Sequence, residues 1–375
     1  QPERVSTDGI AGCVTASRLQ QGTPAPRPLL RDLDVLPRPV RPSEPYLVAG
    51  VPIAFCITTR GCHGDCNYCC INAFTRDAGG PRYRLRHAEE VAGEFAELAQ
   101  RGVQALFLQD DLFVLPSEQA ALRRFAELQR ACRQKDVPPL VLWIKGRPES
   151  ITVPVLEAAQ ELGALHIFLG IENASPERLR YLGRTHGPQD AERALALCGQ
   201  VGMHASFNVM LFDPESTLEQ VEENFDFLER HAEHPWNVCR TEIYPGTHLF
   251  ERLQREGRLL GDFRSWGYRM SDPRAELLFR ILRVSLLDRA FAATSLLNRL
   301  ISLAFAWQLH SRLFPGVESE AVAAQAQRLG REAREDTVQM LRRAAEWVRQ
   351  WPEESLLGGQ DAHFNRELSR FAAAE

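Results

Sequence analysis

Residues 53–70 limit most what this chain can become: a short apolar run that ends in a cluster of four cysteines. Cys62, Cys66 and Cys69 stand at the spacing C-x3-C-x2-C, and Gly61 and Gly64 let the loop fold around something small. Thiolates are soft ligands that favour zinc, copper(I) or an iron–sulfur cluster. A four-iron cluster has four corners, ordinarily held by four cysteines, so three cysteines leave one iron open for chemistry. The competing reading is a structural zinc site, completed by His63, Asp65 or Cys70 as the fourth ligand. Cys70 adjoins Cys69 and cannot easily face the same centre, so it reads as a wall of the loop.

Composition narrows the field. The chain has 375 residues, 44% of them hydrophobic, enough for one large or two moderate domains. Its net charge of −5, with both signs mixed, gives no electrostatic footprint for nucleic acid. Nearly all basic residues are arginine, which points first to a GC-rich genome. Nine cysteines with four clustered suggest a metal site rather than a disulfide frame. The apolar segment 296–309 is interrupted by Arg299 and too short to span a bilayer. The expectation is a soluble, cytoplasmic protein with no membrane or nucleic-acid partner.

Residues 1–50 carry Pro24, Pro26, Pro28, Pro37, Pro39, Pro42 and Pro45 and read as a linker or extended wrap. From 51 to 257, strand-like runs (53–58, 105–108, 140–144, 166–171, 206–212, 238–243) alternate with helical patterns (88–101, 118–135, 153–162, 188–201, 218–231). Such alternation predicts a parallel α/β sheet, with too few units for a closed eight-stranded barrel. The cysteine loop follows the first strand and so belongs at the C-terminal mouth, where parallel barrels keep their chemistry. Residues 258–375 read as a helical region, with Leu277, Ile281, Val284, Leu287 and Phe291 at helical spacing. A helical cap over the mouth is expected.

The cysteine spacing, with Tyr68 just before the last cysteine, resembles the cluster motif of radical S-adenosylmethionine (SAM) enzymes. The resemblance covers roughly residues 30–270. It implies a partial (β/α)6 TIM-like barrel, a [4Fe-4S] cluster on Cys62, Cys66 and Cys69, and SAM chelated at the open iron. One electron then releases a 5′-deoxyadenosyl radical that abstracts hydrogen from a small-molecule or natural-product substrate. An electron donor such as flavodoxin or ferredoxin is implied. Several weaker phrases, in the same order along the chain, resemble the family's strand ends. Gly170-Ile-Glu-Asn-Ala-Ser175 is similar to G-I-E-[ST]-x-[ST], departing at Asn173, and implies Glu172 and Ser175 as SAM contacts. Arg184 falls where the family often has a cation near the SAM carboxylate. Asp110, in Gln109-Asp110-Asp111, is expected at the mouth as a cofactor or substrate contact, the alternative being a solvated turn. Asn208, in an otherwise apolar strand, is expected either to face the lumen as a further contact or to make a structural bond to a neighbouring strand end.

Residues 30–39, the Asp-Asp phrase and Pro245-Gly246-Thr247 lean toward the cobalamin-binding subgroup, which implies cobalamin-dependent methyl transfer. The cobalamin domain itself is expected to be missing, since no D-x-H-x-x-G occurs and the opening at Gln1 reads as a fragment. The alternatives are radical SAM oxidation, rearrangement or cyclisation without cobalamin, or a zinc-stabilised binding protein. Lys145 and Arg147 end the third strand, where carboxylate or phosphate contact is plausible.

Overall fold

The computed structural model describes residues 10–14 and 26–351. The remaining parts of the proline-rich segment, with Pro24, and of the C-terminal region lie outside the described residues.

A seven-stranded sheet forms the centre. Its strands are β1 (Tyr46–Val48), β2 (Val51–Cys56), β5 (Ala105–Leu108), β6 (Val141–Gly146), β7 (Ala164–Glu172), β8 (His204–Phe212) and β9 (Trp236–Arg240), in that spatial order. All pairs are parallel except the edge hairpin β1–β2. A second hairpin, β3 (Thr59–Gly61) with β4 (Tyr83–Leu85), brackets the cysteine loop. Gly61 is required there: its φ is +88°, and a Cβ would come within 1.8 Å of the Arg82 carbonyl oxygen.

Each crossover is helical and covers the convex face of the sheet. The cysteine loop runs straight into α1 (Cys70–Ala78), a helix not anticipated from the sequence. It is followed by α2 (Ala88–Gln100), α3 (Glu118–Gln134), α4 (Val153–Glu161), α5 (Pro176–Tyr181), α6 (Pro188–Val201), α7 (Leu218–Arg230) and α8 (His248–Arg255). Gly79 ends α1, so the Gly79-Gly80 pair serves as a turn. Strand residues pointing outward (Leu106, Leu142, Ile144, Ile167, Leu169, Phe207, Val209) are fully buried beneath the helices. Thr217 starts α7 with a capping box to Gln220, satisfying the backbone donors that a helix start leaves unpaired.

The concave face is different. Ile53, Ala105 and Val141 near the strand starts pack against Phe305 and Leu309 of α10 (Leu296–Leu313). Among the described residues, the C-terminal helices therefore do not cap the mouth. Helix α10 shuts the opposite end, because its apolar residues match the apolar strand starts. The other two, α9 (Pro273–Ser285) and α11 (Val317–Arg349), join the outer core through Leu278, Ile281, Val338 and Leu341. Leu277 and Ile281 are buried as the helical spacing predicts, whereas Val284 and Leu287 are exposed. By length and composition the helical stretch 287–313 is long and apolar enough to cross a membrane, unlike 296–309 alone, and 28% of its most apolar 18 residues are buried.

The N-terminal segment is an extended wrap along α2. Arg41 and Arg86 both bind Glu94, whose side chain is 2% exposed. Arg86 also holds Asp34 at 3.0 Å, and Arg38 holds Glu97 at 2.7 Å.

Candidate functional site

The front of the cysteine loop is pinned by the acidic pair ending β5. The backbone N–H and hydroxyl of Thr58 each donate to the Asp110 carboxylate at 2.6 Å, and the Thr59 N–H donates at 2.9 Å. Asp111 accepts from the Gly61 N–H at 2.8 Å. Asp110, expected at the cofactor or substrate, thus spends both oxygens on the strand end beneath the loop. Burial pushes its carboxyl up to about 6, against the pull of those hydrogen bonds.

The back of the loop is stitched to the turn after α5. The Asn67 N–H donates to the Leu182 carbonyl at 3.1 Å, and its side-chain amide donates to the Tyr181 carbonyl. Gly183 makes this approach possible: its φ is +73°, and a Cβ would stand 2.9 Å from the Asp65 carbonyl oxygen. Between these anchors Cys66 is buried, Cys62 and Cys69 are half-buried, and Cys70 faces solvent at the start of α1.

The donor set fits a cluster better than a single ion. Zinc–thiolate bonds of about 2.3 Å bring sulfurs within about 4 Å of one another. The sulfurs of Cys62, Cys66 and Cys69 are not among the ligand groups lying mutually within 4.8 Å. Hydrogen bonds of the kind that tune cluster thiolates are in place. The Gly64 N–H donates to the Cys62 sulfur at 3.3 Å, Arg184 donates to the Cys66 sulfur at 3.3 Å, and Arg147 does so at 3.8 Å. Burial pushes the Cys69 thiol up to about 11, so its thiolate needs a cation beside it.

Glu172 closes β7 in a strained backbone. Its φ is +70°, and the pairing with β8 slips between Leu169 and Glu172. Left-handed geometry at a non-glycine residue persists only where the surroundings impose it. Here Asn173 imposes it: fully buried, it donates to the Met210 carbonyl at 2.8 Å and accepts from the Ser175 N–H at 2.8 Å. Ser175 is buried at the start of α5, behind the strand end.

Arg184, with a nearly buried side chain, bridges the two halves of the site. It lies 3.7 Å from the Glu172 carboxylate, donates to the Gly170 carbonyl, and leaves a buried Nε without a partner. The half-buried ring of Tyr68 sits among these charges. Burial raises its hydroxyl well above the usual range, and the Glu172 charge adds to this.

Arg147 also donates to Glu149 at 2.7 Å and to Thr185 at 3.1 Å, while His186 lies 3.4 Å from Glu149. Burial opposes the Glu149 charge, yet His186 and Arg147 hold its carboxyl far below the usual range. Sequence reasoning missed this network and Asn67, because Glu149 and Asn67 belong to no periodic pattern. The glycine at 183 was the available signal for the second anchor. Asn208 is half-buried on the concave face of β8, in register with Asn237.

Residues 56–228 match the Radical SAM superfamily model. An uncharacterized methyltransferase of Pyrococcus horikoshii is 28% identical over 231 residues, covering 60% of this chain and 48% of its own. The hopanoid C-2 methylase of Rhodopseudomonas palustris is 26% identical over 217 residues, covering 54% of this chain and 38% of its own. The chain therefore spans about half the length, or less, of these relatives. Among solved structures, the cobalamin-dependent SAM radical enzyme OxsB with aqua-cobalamin bound aligns with a TM-score of 0.55 at 14% identity, over 85% of this chain and 58% of its own. That likeness speaks to the fold alone. The domain match spans the cysteine loop and the strand ends around it, so residues 56–228 carry a radical SAM domain, and the enzymes of that superfamily use a [4Fe-4S] cluster and SAM.

Proposed function

We propose that Cys62, Cys66 and Cys69 hold a [4Fe-4S] cluster at the barrel mouth and that SAM binds between that loop and Glu172. The observation that carries this reading is Arg184, whose guanidinium reaches both the Cys66 sulfur and the Glu172 carboxylate. When bound, the cluster and SAM together supply a 5′-deoxyadenosyl radical for hydrogen abstraction. The chain's own residues do the rest. Glu172 accepts from the SAM amino group or ribose, and Arg184 offers a planar fork to its carboxylate. Tyr68 walls the pocket against water, with Asn208 as a further polar contact. Asp110 and Asp111 fix the loop from below.

We read residues 51–257 as the radical SAM core. We read residues 1–50 as the linker and 258–375 as the helical region, whose α10 closes the core from beneath. The substrate is an organic molecule in the concave face, a flavodoxin or ferredoxin supplies the electron, and the setting is the cytoplasm. Methyl transfer is favoured over oxidation or rearrangement by the two relatives named as a methyltransferase and a methylase, and cobalamin as the methyl carrier by the phrases at residues 30–39, Asp110-Asp111 and Pro245-Gly246-Thr247.

Anaerobic reconstitution tests the reading. Near four irons per chain, a reduced-cluster EPR signal perturbed by SAM, and 5′-deoxyadenosine formed with dithionite are expected. A colourless protein with one zinc and no SAM cleavage would overturn it. Methyl transfer that requires added methylcobalamin would separate the cobalamin reading from its alternative.

A further inference from the structure

The substrate class can be argued from the concave face. Phe55, Phe107, Trp143 and His166 occupy paired register positions on four adjacent strands. Their rings form one row, with centroids 5.6 Å, 5.9 Å and 6.0 Å apart in turn. Phe168, one layer nearer the mouth, joins Trp143 at 6.0 Å. From beneath, Phe305 of α10 packs edge-on against Phe107 at 4.9 Å and against His166 at 5.6 Å. Among the described residues no such ring contact covers the mouth side. Phe55 is 44% exposed, and Phe107, Trp143 and Phe168 are half-buried. At its open end Phe55 also lines a separate cavity of about 370 Å³ beneath the N-terminal wrap, beside Arg41, Glu94 and Leu98. Apolar rings exposed together in a concavity mark a place where a ligand recovers the cost of wetting them.

Above this floor stands one cation. The Lys145 ammonium lies 5.8 Å from the Trp143 ring centroid and is in register with Phe168. It makes no hydrogen bond or ion pair among the described residues. The charged groups nearest to it, Asp110 and Asp111, are engaged by Thr58, Thr59 and Gly61. Burial holds the amine below its ordinary range, so an anion beside it would restore what desolvation removes.

We propose that the substrate is a planar aromatic molecule carrying an acidic group, its ring laid on Phe107, Trp143 and Phe168 and its acid at Lys145. This rests on the radical SAM reading above, and it adds the substrate class. Aromatic rings pair in offset or edge-on contact, which a row of partly exposed rings tilted 20° to 47° against their neighbours offers and a saturated ring cannot exploit.

The test is calorimetric titration of the reconstituted full chain with 2-naphthoate, decahydro-2-naphthoate and 2-naphthamide, with SAM cleavage assayed on the same preparation. Naphthoate is expected to bind at least about tenfold more tightly than either of the others. Lys145→Met is expected to remove that advantage over the amide and leave the amide unchanged. Trp143→Leu, with Phe168→Leu as a second variant should the first not fold, is expected to weaken both aromatic probes about fivefold and spare the saturated one. Equal affinities for the three probes, no binding, or a Lys145→Met chain that holds naphthoate as before would overturn the proposal. SAM cleavage intact in such a case leaves the radical SAM reading standing. Absent cleavage with the naphthoate preference kept overturns that reading and not the site.

Discussion

The Arg184 guanidinium nitrogen that donates to the Cys66 sulfur at 3.3 Å is the same one that lies 3.7 Å from the Glu172 carboxylate. One cation thus joins the cysteine loop to the strained end of β7. Arg184→Met is expected to keep the iron content per chain and to lower SAM cleavage by at least about 100-fold, since small displacements at a reacting centre cost that much. The cluster's reduction potential should fall as well, because a hydrogen bond to a ligand sulfur favours the reduced state. An EPR-monitored redox titration reads this directly, and an unmoved potential would show that Arg184 does not act on the ligand.

The four clustered cysteines should separate cleanly. Cys62→Ala, Cys66→Ala and Cys69→Ala are each expected to abolish or greatly reduce iron binding. Cys70→Ala should retain it, because Cys70 is exposed at the start of α1. Iron and sulfide assays on anaerobic preparations decide the matter. Iron lost from Cys70→Ala would reassign a ligand.

Asp110 gives a pH dependence of known sign. Its carboxyl titrates near 6 in the folded chain against 3.8 for the free side chain. The folded state therefore binds this proton more tightly. The resulting stability is complete below about pH 4 and is lost as pH rises through about 6. Asp110→Asn removes the titration. Urea denaturation of both proteins across that range should show the wild type losing up to about 3 kcal/mol more than the variant. Parallel curves would mean that Asp110 is ionised throughout.

The buried Arg41–Glu94–Arg86 cluster clamps the N-terminal wrap to α2. Glu94→Ala leaves two desolvated guanidinium groups without their shared carboxylate and is expected to cost about 3–5 kcal/mol. Arg41→Ala should cost less, since Arg86 still neutralises Glu94. Chemical denaturation measures both. A loss under about 1 kcal/mol for Glu94→Ala would show that the wrap is not held there.

Gly183→Ala forces a side chain into a left-handed backbone and against the Asp65 carbonyl. A cost of about 1–3 kcal/mol is expected from the backbone alone. The iron content after reconstitution should fall with it if this turn holds the cysteine loop.

The sheet was readable because its strands are short apolar runs flanked by strongly periodic helices. The run 105–108 and helix 188–201 were bounded to the residue. Where reasoning fell short, non-local pairing decided the outcome. Hairpin β3–β4 joins segments more than twenty residues apart, and no pattern within either three-residue strand announces it. Asp110 stood at a strand end as expected, but which neighbours would occupy its oxygens depended on how Thr58 and Thr59 curl beneath it. The helical region was recognised by spacing. Which end of the sheet it covers depended on matching Phe305 and Leu309 to residues some 200 positions earlier.

That last match has a consequence for biogenesis. The row of rings is complete once β7 has been made, but its underside waits for Phe305 to emerge. At elongation rates of about 5–20 residues per second that interval is about 7–30 s. During it a nascent chain holds an unshielded aromatic surface beside a set of reactive thiols, so chaperone engagement and cluster delivery compete for the same half-made protein.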